Sequence, residues 1–335
     1  MRKEYIAIPM GDPAGIGPEI TVKSLAKPDV YADANPVVVG DKNVLEKAAE
    51  IDKAVVKINV IDKMDDGDYK PGIINLIDLH NVDMSTFEYG KVQAQCGQAA
   101  YDYIKEANRL CVEGGAAVMT TTTINKEALK AAGINTLGHT DILSSLTGVK
   151  NPLTMFQVRQ LRVFFYSKHV SLRKACDLIT KEGIKKYVHR MIDALKTLGV
   201  EKPHVAVAGL NPHCGEHGLF GDEEVKYITP AVEELQAEGV DVSGPIGADS
   251  VFFQALNGRY DGVLSLYHDQ GHIATKTVDL NRTVSFTYNL PYLRTSVDHG
   301  TAFDIAGKGI ASEVSLDEAV RLAAKYASAF KNRAK

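Results

Sequence analysis

Short apolar runs alternate along the chain with longer stretches in which apolar positions recur every three or four residues. Residues 5–9, 36–40, 55–60, 73–78, 116–119, 161–166, 204–210 and 262–267 have the β-branched, turn-bounded character of strands. Residues 97–113 carry helical spacing, with Ala100, Ile104 and Cys111 on one face and Gly114-Gly115 as the stop. Further helices are predicted over 184–198, 223–238 and 316–330. Such alternation predicts mostly parallel sheets covered by helices on both faces. A chain of 335 residues exceeds one small core, so two α/β/α lobes are expected. No repeat, low-complexity tract or Pro/Ser-rich linker separates them.

Composition narrows the class. Hydrophobic residues at 45% and charged residues at 24% describe an ordinary globular chain. A net charge of −4 gives no broad electrostatic reason to bind nucleic acid or an anionic membrane. No apolar run approaches the roughly 18 residues that a spanning helix requires. Met1-Arg2-Lys3-Glu4 runs straight into a strand-like segment with no apolar signal region. Cys96, Cys111, Cys176 and Cys214 form no CxxC pair and read as reduced thiols. A cytoplasmic enzyme is expected, with its chemistry outside the cysteines.

Three times, a strand-like run and a short turn deliver a histidine: 161–166 leads to His169, 205–210 to His213, and 263–267 to His268. In open α/β sheets ligands bind beyond the carboxyl ends of the strands, so three imidazoles there predict one divalent metal site. Taken singly, each would be an ordinary hydrogen-bonded loop residue; it is the set that carries the metal reading. Asp269 is placed to orient His268 from behind. His80, His189 and His204 lack such surroundings and read as structural, while His217 and His272 each lie four residues past a ligand candidate and are open to either reading.

Gly11-Asp12-Pro13-Ala14-Gly15-Ile16-Gly17-Pro18-Glu19 follows the first strand and opens a helix. It lacks the GxGxxG form, so a standard Rossmann site is not expected; it reads either as an anion-contacting turn or as a tight turn packed against the second lobe. Gly138-His139-Thr140-Asp141 precedes an apolar helix, with Thr140 or Asp141 placed to cap it. Lys276, eight residues past His268, and Arg294 supply charge-assisted donors for a phosphate or carboxylate. The stretch 298–311, DHGTAFDIAGKGIA, closely resembles the adenine-nucleotide loop of isopropylmalate and isocitrate dehydrogenases.

With GDPAGIGPE (11–19), GHTD (138–141), NPHCGEHGLFGDEE (211–224), GPIGADSVF (244–252), YHDQG (267–271) and RTSVDHGTA (294–302), the chain resembles the 4-hydroxythreonine-4-phosphate dehydrogenase family nearly end to end. The resemblance implies an isopropylmalate dehydrogenase-like fold with the active site between lobes spanning 1–125 with 300–335, and 126–299. It implies a homodimer in which His169, His213 and His268, contributed by both subunits, hold one divalent ion (Zn, Mn, Co or Mg). Substrate contacts would be His139, Thr140, Lys276 and Arg294, and NAD would lie on His299, Gly300, Thr301, Ala302, Asp304, Ile305 and Ala306. Lys276 is the first candidate for proton handling and Asp249 the second. Two departures bear on the substrate: Ser285 stands where the family commonly has asparagine, and 122–126 reads TTINK rather than GPVHK. The latter form, with Gly-His-Ile after YHDQ, resembles a branch acting on 4-phospho-D-threonate or 4-phospho-D-erythronate, which predicts oxidative decarboxylation to dihydroxyacetone phosphate. Alternatives are the 4-phosphohydroxy-L-threonine dehydrogenase of pyridoxal phosphate synthesis, a decarboxylating dehydrogenase of an aromatic cis-dihydrodiol carboxylate, and a catalytically silent metal- or nucleotide-binding module.

Overall fold

The computed structural model describes residues 3–136 and 138–333. Twelve strands follow one another along the described chain: β1 (Glu4–Pro9), β2 (Ala34–Gly40), β3 (Lys57–Val60), β4 (Ile73–Asp78), β5 (Val118–Thr121), β6 (Leu153–Val158), β7 (Leu161–Phe165), β8 (Val205–Ala208), β9 (Val242–Ile246), β10 (Gly262–Ser265), β11 (Val284–Tyr288) and β12 (Leu293–Ser296). They belong to two compact units, Met1–Pro152 with Val284–Lys335, and Leu153–Thr283. Segments 126–152 and 284–299, placed in the second lobe by the sequence reading, therefore lie with the first. The reason is local: β12 pairs in parallel with β5, and the helix Lys126–Ala131 packs so closely on Ala94–Val112 that a Cβ at Gly97 would meet the Ala128 carbonyl oxygen at 2.0 Å.

In the first unit the strand order is β3-β4-β2-β1-β5-β12-β11, parallel except for the β11–β12 pair. Ile6, Ile8, Val37, Val38, Val39 and Val118 are fully buried, as expected for parallel strands covered on both faces. The chain leaves β1 toward β2 on one side and reaches β5 on the other, so the topological switch point falls between β1 and β5. Ala100, Ile104 and Cys111 do form the buried face of the helix Ala94–Val112.

In the second unit the order is β6-β7-β10-β8-β9, with β6 antiparallel to β7 and the rest parallel. Its core joins Val163, Phe165, Ala206, Ala208 and Val263 to Val251 and Phe252 of the helix Ala248–Leu256. β9 was not among the expected strands because Gly244-Pro245 interrupts it; a proline is tolerated there because β9 is the sheet edge. The expected helix 223–238 is a π-turn, Glu224–Ile228, continued by an α-helix, Thr229–Ala237. Pro230 has no N–H to close the regular ladder at that junction. Among the described residues, no helix is long and apolar enough to cross a membrane.

Candidate active site

Strand order places the three predicted metal histidines side by side. β7, β10 and β8 are neighbours, and His169, His268 and His213 lie just beyond their carboxyl ends. His169 and His268 approach with ring centroids 5.8 Å apart, and both line a cavity of about 390 Å³ with Lys168, Ser171, Tyr267 and Asp269. His268 Nδ1 lies 2.6 Å from Asp269 Oδ1. A proton on Nδ1, donated to that carboxylate, leaves the Nε2 lone pair free for a cation. This is the donor chemistry a divalent ion needs. His213 does not join the other two within one chain: among the described residues the three do not bring ligand atoms within 4.8 Å of one another.

His213 is exposed on a turn of unusual backbone. His213, Cys214, Gly215, Glu216 and His217 all have φ between 44° and 76°, a left-handed run that L-residues adopt only when their surroundings enforce it. The buried Glu224 carboxylate is the clasp. It accepts hydrogen bonds from Leu210 N at 2.7 Å, Asn211 N at 2.7 Å and Asn211 Nδ2 at 2.8 Å. Gly215 is required beneath it, since a Cβ there would lie 2.6 Å from the Gly221 carbonyl oxygen and 3.0 Å from Glu224 Oε2. His217, on the same strained run, is exposed.

The helix His268–Val278 carries His268, His272 and Lys276 at successive i, i+4 positions, one face of the helix. His272 is clamped by Phe156 and Phe165, with centroids 4.4 and 4.7 Å away, and lies 4.1 Å from His268. Burial, helped by the charges of His268 and Lys276, pushes its pKa down to about 4. Asp249 is exposed in the first turn of Ala248–Leu256; with Gln270 it lines a neighbouring cavity of about 530 Å³ that shares Tyr267 and Asp269 with the first.

The first unit holds the anion-site candidates. Arg294, on β12, is 5% exposed. Its Nε and Nη2 donate to Thr121 Oγ1 at 3.1 and 2.7 Å, and Nη1 donates to Thr287 Oγ1 at 3.0 Å. Neutral hydroxyls fix the fork, and among the described residues no carboxylate pairs with it. Burial pulls its pKa down to about 10, so the group stays cationic at neutral pH. A buried cation without an anionic partner costs desolvation that a bound anion would offset. Burial, then the charge of Arg294, holds His139 well below the ordinary histidine value, and its Nε2 is buried without a partner. His139 and Thr140 open the helix His139–Thr147, whose N-cap is Gly138 with no side-chain cap. Neither Thr140 nor Asp141 caps that helix, because both lie inside its first turn. Ser285 sits on β11 opposite Ser296.

The cofactor-loop candidates run through consecutive turns after β12. His299, Gly300 and Asp304 are exposed, Ile305 is partly covered, and Thr301 and Ala306 are buried; Ala302 has φ of 44°. The glycine-rich 11–19 segment packs on this loop. Ile16 N donates to the Thr301 carbonyl at 3.0 Å, and a Cβ on Gly15 would lie 2.9 Å from Thr301 Cβ. Buried Glu19 accepts from Gly307 N, and from Gly309 N at 3.1 Å. Asp12, fully buried, accepts from Ala14 N at 2.9 Å, while its Oδ2 has no partner. Burial pushes its pKa up to about 6.

Sequence reasoning did not single out Asp12, Glu19 or Glu224. Glu19 and Glu224 are buried carboxylates that hold the loop after β12 and the turn carrying His213, and the available signal was a glutamate inside a glycine-rich turn or just after one. Another trio, Asp41, Asp78 and His80, does bring ligand atoms within 4.8 Å. Its carboxylates also hold local backbone: Asp41 caps the helix Lys42–Ile51 and accepts from Val82 N, and Asp78 Oδ1 accepts from Lys42 N and His80 N.

Comparison with known proteins places these features. Residues 32–323 match the family described as pyridoxal phosphate biosynthetic protein PdxA. A Fusobacterium nucleatum protein carrying the provisional name D-threonate 4-phosphate dehydrogenase is 61% identical over 327 residues, covering 98% of each chain. A Clostridium botulinum protein with the same provisional name is 56% identical over 330 residues, covering 98% of this chain and 99% of the other. The crystal structure of a 4-hydroxythreonine-4-phosphate dehydrogenase from Klebsiella pneumoniae superposes with a TM-score of 0.90 at 40% identity, covering 97% of this chain and 98% of the other. The chain belongs to the PdxA family.

Proposed function

We propose that this PdxA-family dehydrogenase carries out NAD-dependent, divalent-metal-dependent oxidative decarboxylation of 4-phospho-D-threonate or 4-phospho-D-erythronate to dihydroxyacetone phosphate and CO2. The observation that carries an anionic substrate is Arg294, a buried guanidinium held by hydroxyls and with no carboxylate partner among the described residues. The high identity to relatives named for D-threonate 4-phosphate favours the sugar-acid substrate. The Klebsiella neighbour's name supports 4-phosphohydroxy-L-threonine as the second reading, at lower identity.

In this reading Arg294, with His139 and Thr140, binds an oxyanion of the substrate through charge-assisted donors that are already oriented. His169, His213 and His268 hold the cation, and the loop from His299 to Ala306 holds the nucleotide. Bound there, NAD⁺ would supply the hydride acceptor for C3 and the divalent ion would supply a Lewis acid for the C3 oxygen. Oxidation at C3 makes the substrate a β-keto acid, whose C1–C2 bond breaks to release CO2 and leave an electron pair at C2. Lys276 is assigned the proton transfers, with Asp249 as the second candidate. A homodimer is part of the proposal: His213 does not meet its two companions in one chain, and the neighbouring Leu219 and Phe220 are 71% and 50% exposed. The test is NADH formation with Mn²⁺, Zn²⁺ or Co²⁺ on the two sugar-acid phosphates and on 4-phosphohydroxy-L-threonine. Turnover of a sugar-acid phosphate supports the reading, and preference for the amino substrate returns the chain to pyridoxal phosphate synthesis.

A further inference from the structure

His272 is the one imidazole of the His268–His272–Lys276 face with no role so far. Phe156, Phe165 and His268 fix its ring from three sides. Its Nδ1 is buried without a hydrogen-bond partner, whereas Nε2 is not among the buried unpartnered atoms. The residue as a whole is only partly covered, so Nε2 is the nitrogen that meets accessible space. A neutral imidazole has one N–H to place. On Nδ1 it would be a buried donor with nothing to accept it; on Nε2 it can be satisfied by water or ligand. A doubly protonated ring would strand the same Nδ1 donor. The ring therefore presents an Nε2–H donor and no acceptor toward that space, one helical turn from His268 and one from Lys276.

A group that meets this nitrogen must supply a lone pair. An alcohol or carboxylate oxygen does so. An ammonium group cannot, and the Lys276 charge one turn away repels it as well. We propose that His272 is a specificity-determining residue that selects a hydroxy acid over the corresponding amino acid by donating its Nε2–H to a substrate oxygen. This rests on the reaction proposed above and names what sets its substrate class.

The test compares kcat/KM for 4-phospho-D-threonate and 4-phosphohydroxy-L-threonine in the wild type, His272→Leu and His272→Gln. Leucine removes the donor, while the glutamine amide nitrogen can replace Nε2–H. The wild type should prefer the hydroxy acid. His272→Leu should lose ~10- to 100-fold on the hydroxy acid, the range for one missing polar contact to substrate, with less than threefold change on the amino substrate. His272→Gln should recover to within threefold of the wild-type ratio. Equal losses on both substrates in His272→Leu, or no recovery with glutamine, would overturn the assignment of His272 while leaving the reaction intact. A wild type inactive on the hydroxy acid would overturn both. If the leucine variant does not fold, the ratio measured for His272→Gln against His272→Phe decides the matter, phenylalanine keeping the ring and lacking the donor.

Discussion

Replacing Glu224 with glutamine tests whether a buried carboxylate holds the turn that displays His213. Four non-glycine residues of that turn, His213, Cys214, Glu216 and His217, are left-handed, at about 1–2 kcal/mol each. Strain of about 4–8 kcal/mol is then opposed by three hydrogen bonds to a charged acceptor, at ~1.5–3 kcal/mol each. Glutamine keeps one acceptor oxygen for Leu210 N and Asn211 N, but turns an amide nitrogen toward Asn211 Nδ2. One bond is lost and two become neutral, a net loss of about 3 kcal/mol. Local opening should therefore expose the amides of Leu210 and Asn211 roughly 100-fold more often. Hydrogen exchange of those two amides is the assay, with the amide of Val163 in β7 as an internal reference. Protection within threefold of wild type at both amides, in a folded variant, would refute the clasp.

Arg294→Lys should raise KM for the phosphorylated substrate by ~10- to 100-fold, because an ammonium cannot keep the fork fixed by Thr121 and Thr287; an unchanged KM would remove Arg294 from substrate binding. Asp12 carries its proton up to about pH 6 in the fold but only to the ordinary 3.8 when unfolded, so the native state binds more protons between those values and stability falls as pH rises through them. Relative to Asp12→Asn, the wild type should lose about 2 kcal/mol of unfolding free energy between pH 4 and 7; a difference that does not vary with pH in urea titrations would contradict this. His213→Ala should remove stoichiometric metal by elemental analysis while the fold survives; full metal retention would exclude His213 as a ligand.

Much of the fold was legible because it rests on local periodicity. Val37 to Val39 and Ile6 to Ile8 read as buried strands, and they are. β12 was harder: Arg294, Thr295 and Ser296 are buried through hydrogen bonds rather than apolar character, so hydropathy cannot flag it, whereas β11 does carry a strand's alternation in Val284, Phe286 and Tyr288 and was passed over. The unit boundary was misplaced over 284–299 with those two strands, and over 126–152 because the packing of the helix Lys126–Ala131 on Ala94–Val112 is a tertiary contact. The delivery of His169, His213 and His268 to the carboxyl ends of neighbouring strands was legible from a run, a turn and a histidine. The supports were not. Glu19 bonds amides 288 and 290 residues away, and only a fold can bring such groups together. The His272 clamp joins β6, β7 and a helix, and no spacing in the sequence encodes it.

The central claim is that hydride transfer and carbon–carbon cleavage occur on one sugar-acid phosphate. It is tested most directly by supplying 4-phospho-D-threonate labelled with ¹³C at C1, together with NAD⁺ and a divalent cation, and following NADH, labelled CO2 and dihydroxyacetone phosphate together. The account predicts that all three appear in equal amounts, with the label entirely in CO2. NADH formed without labelled CO2, or no turnover of this substrate beside brisk turnover of 4-phosphohydroxy-L-threonine, would contradict it.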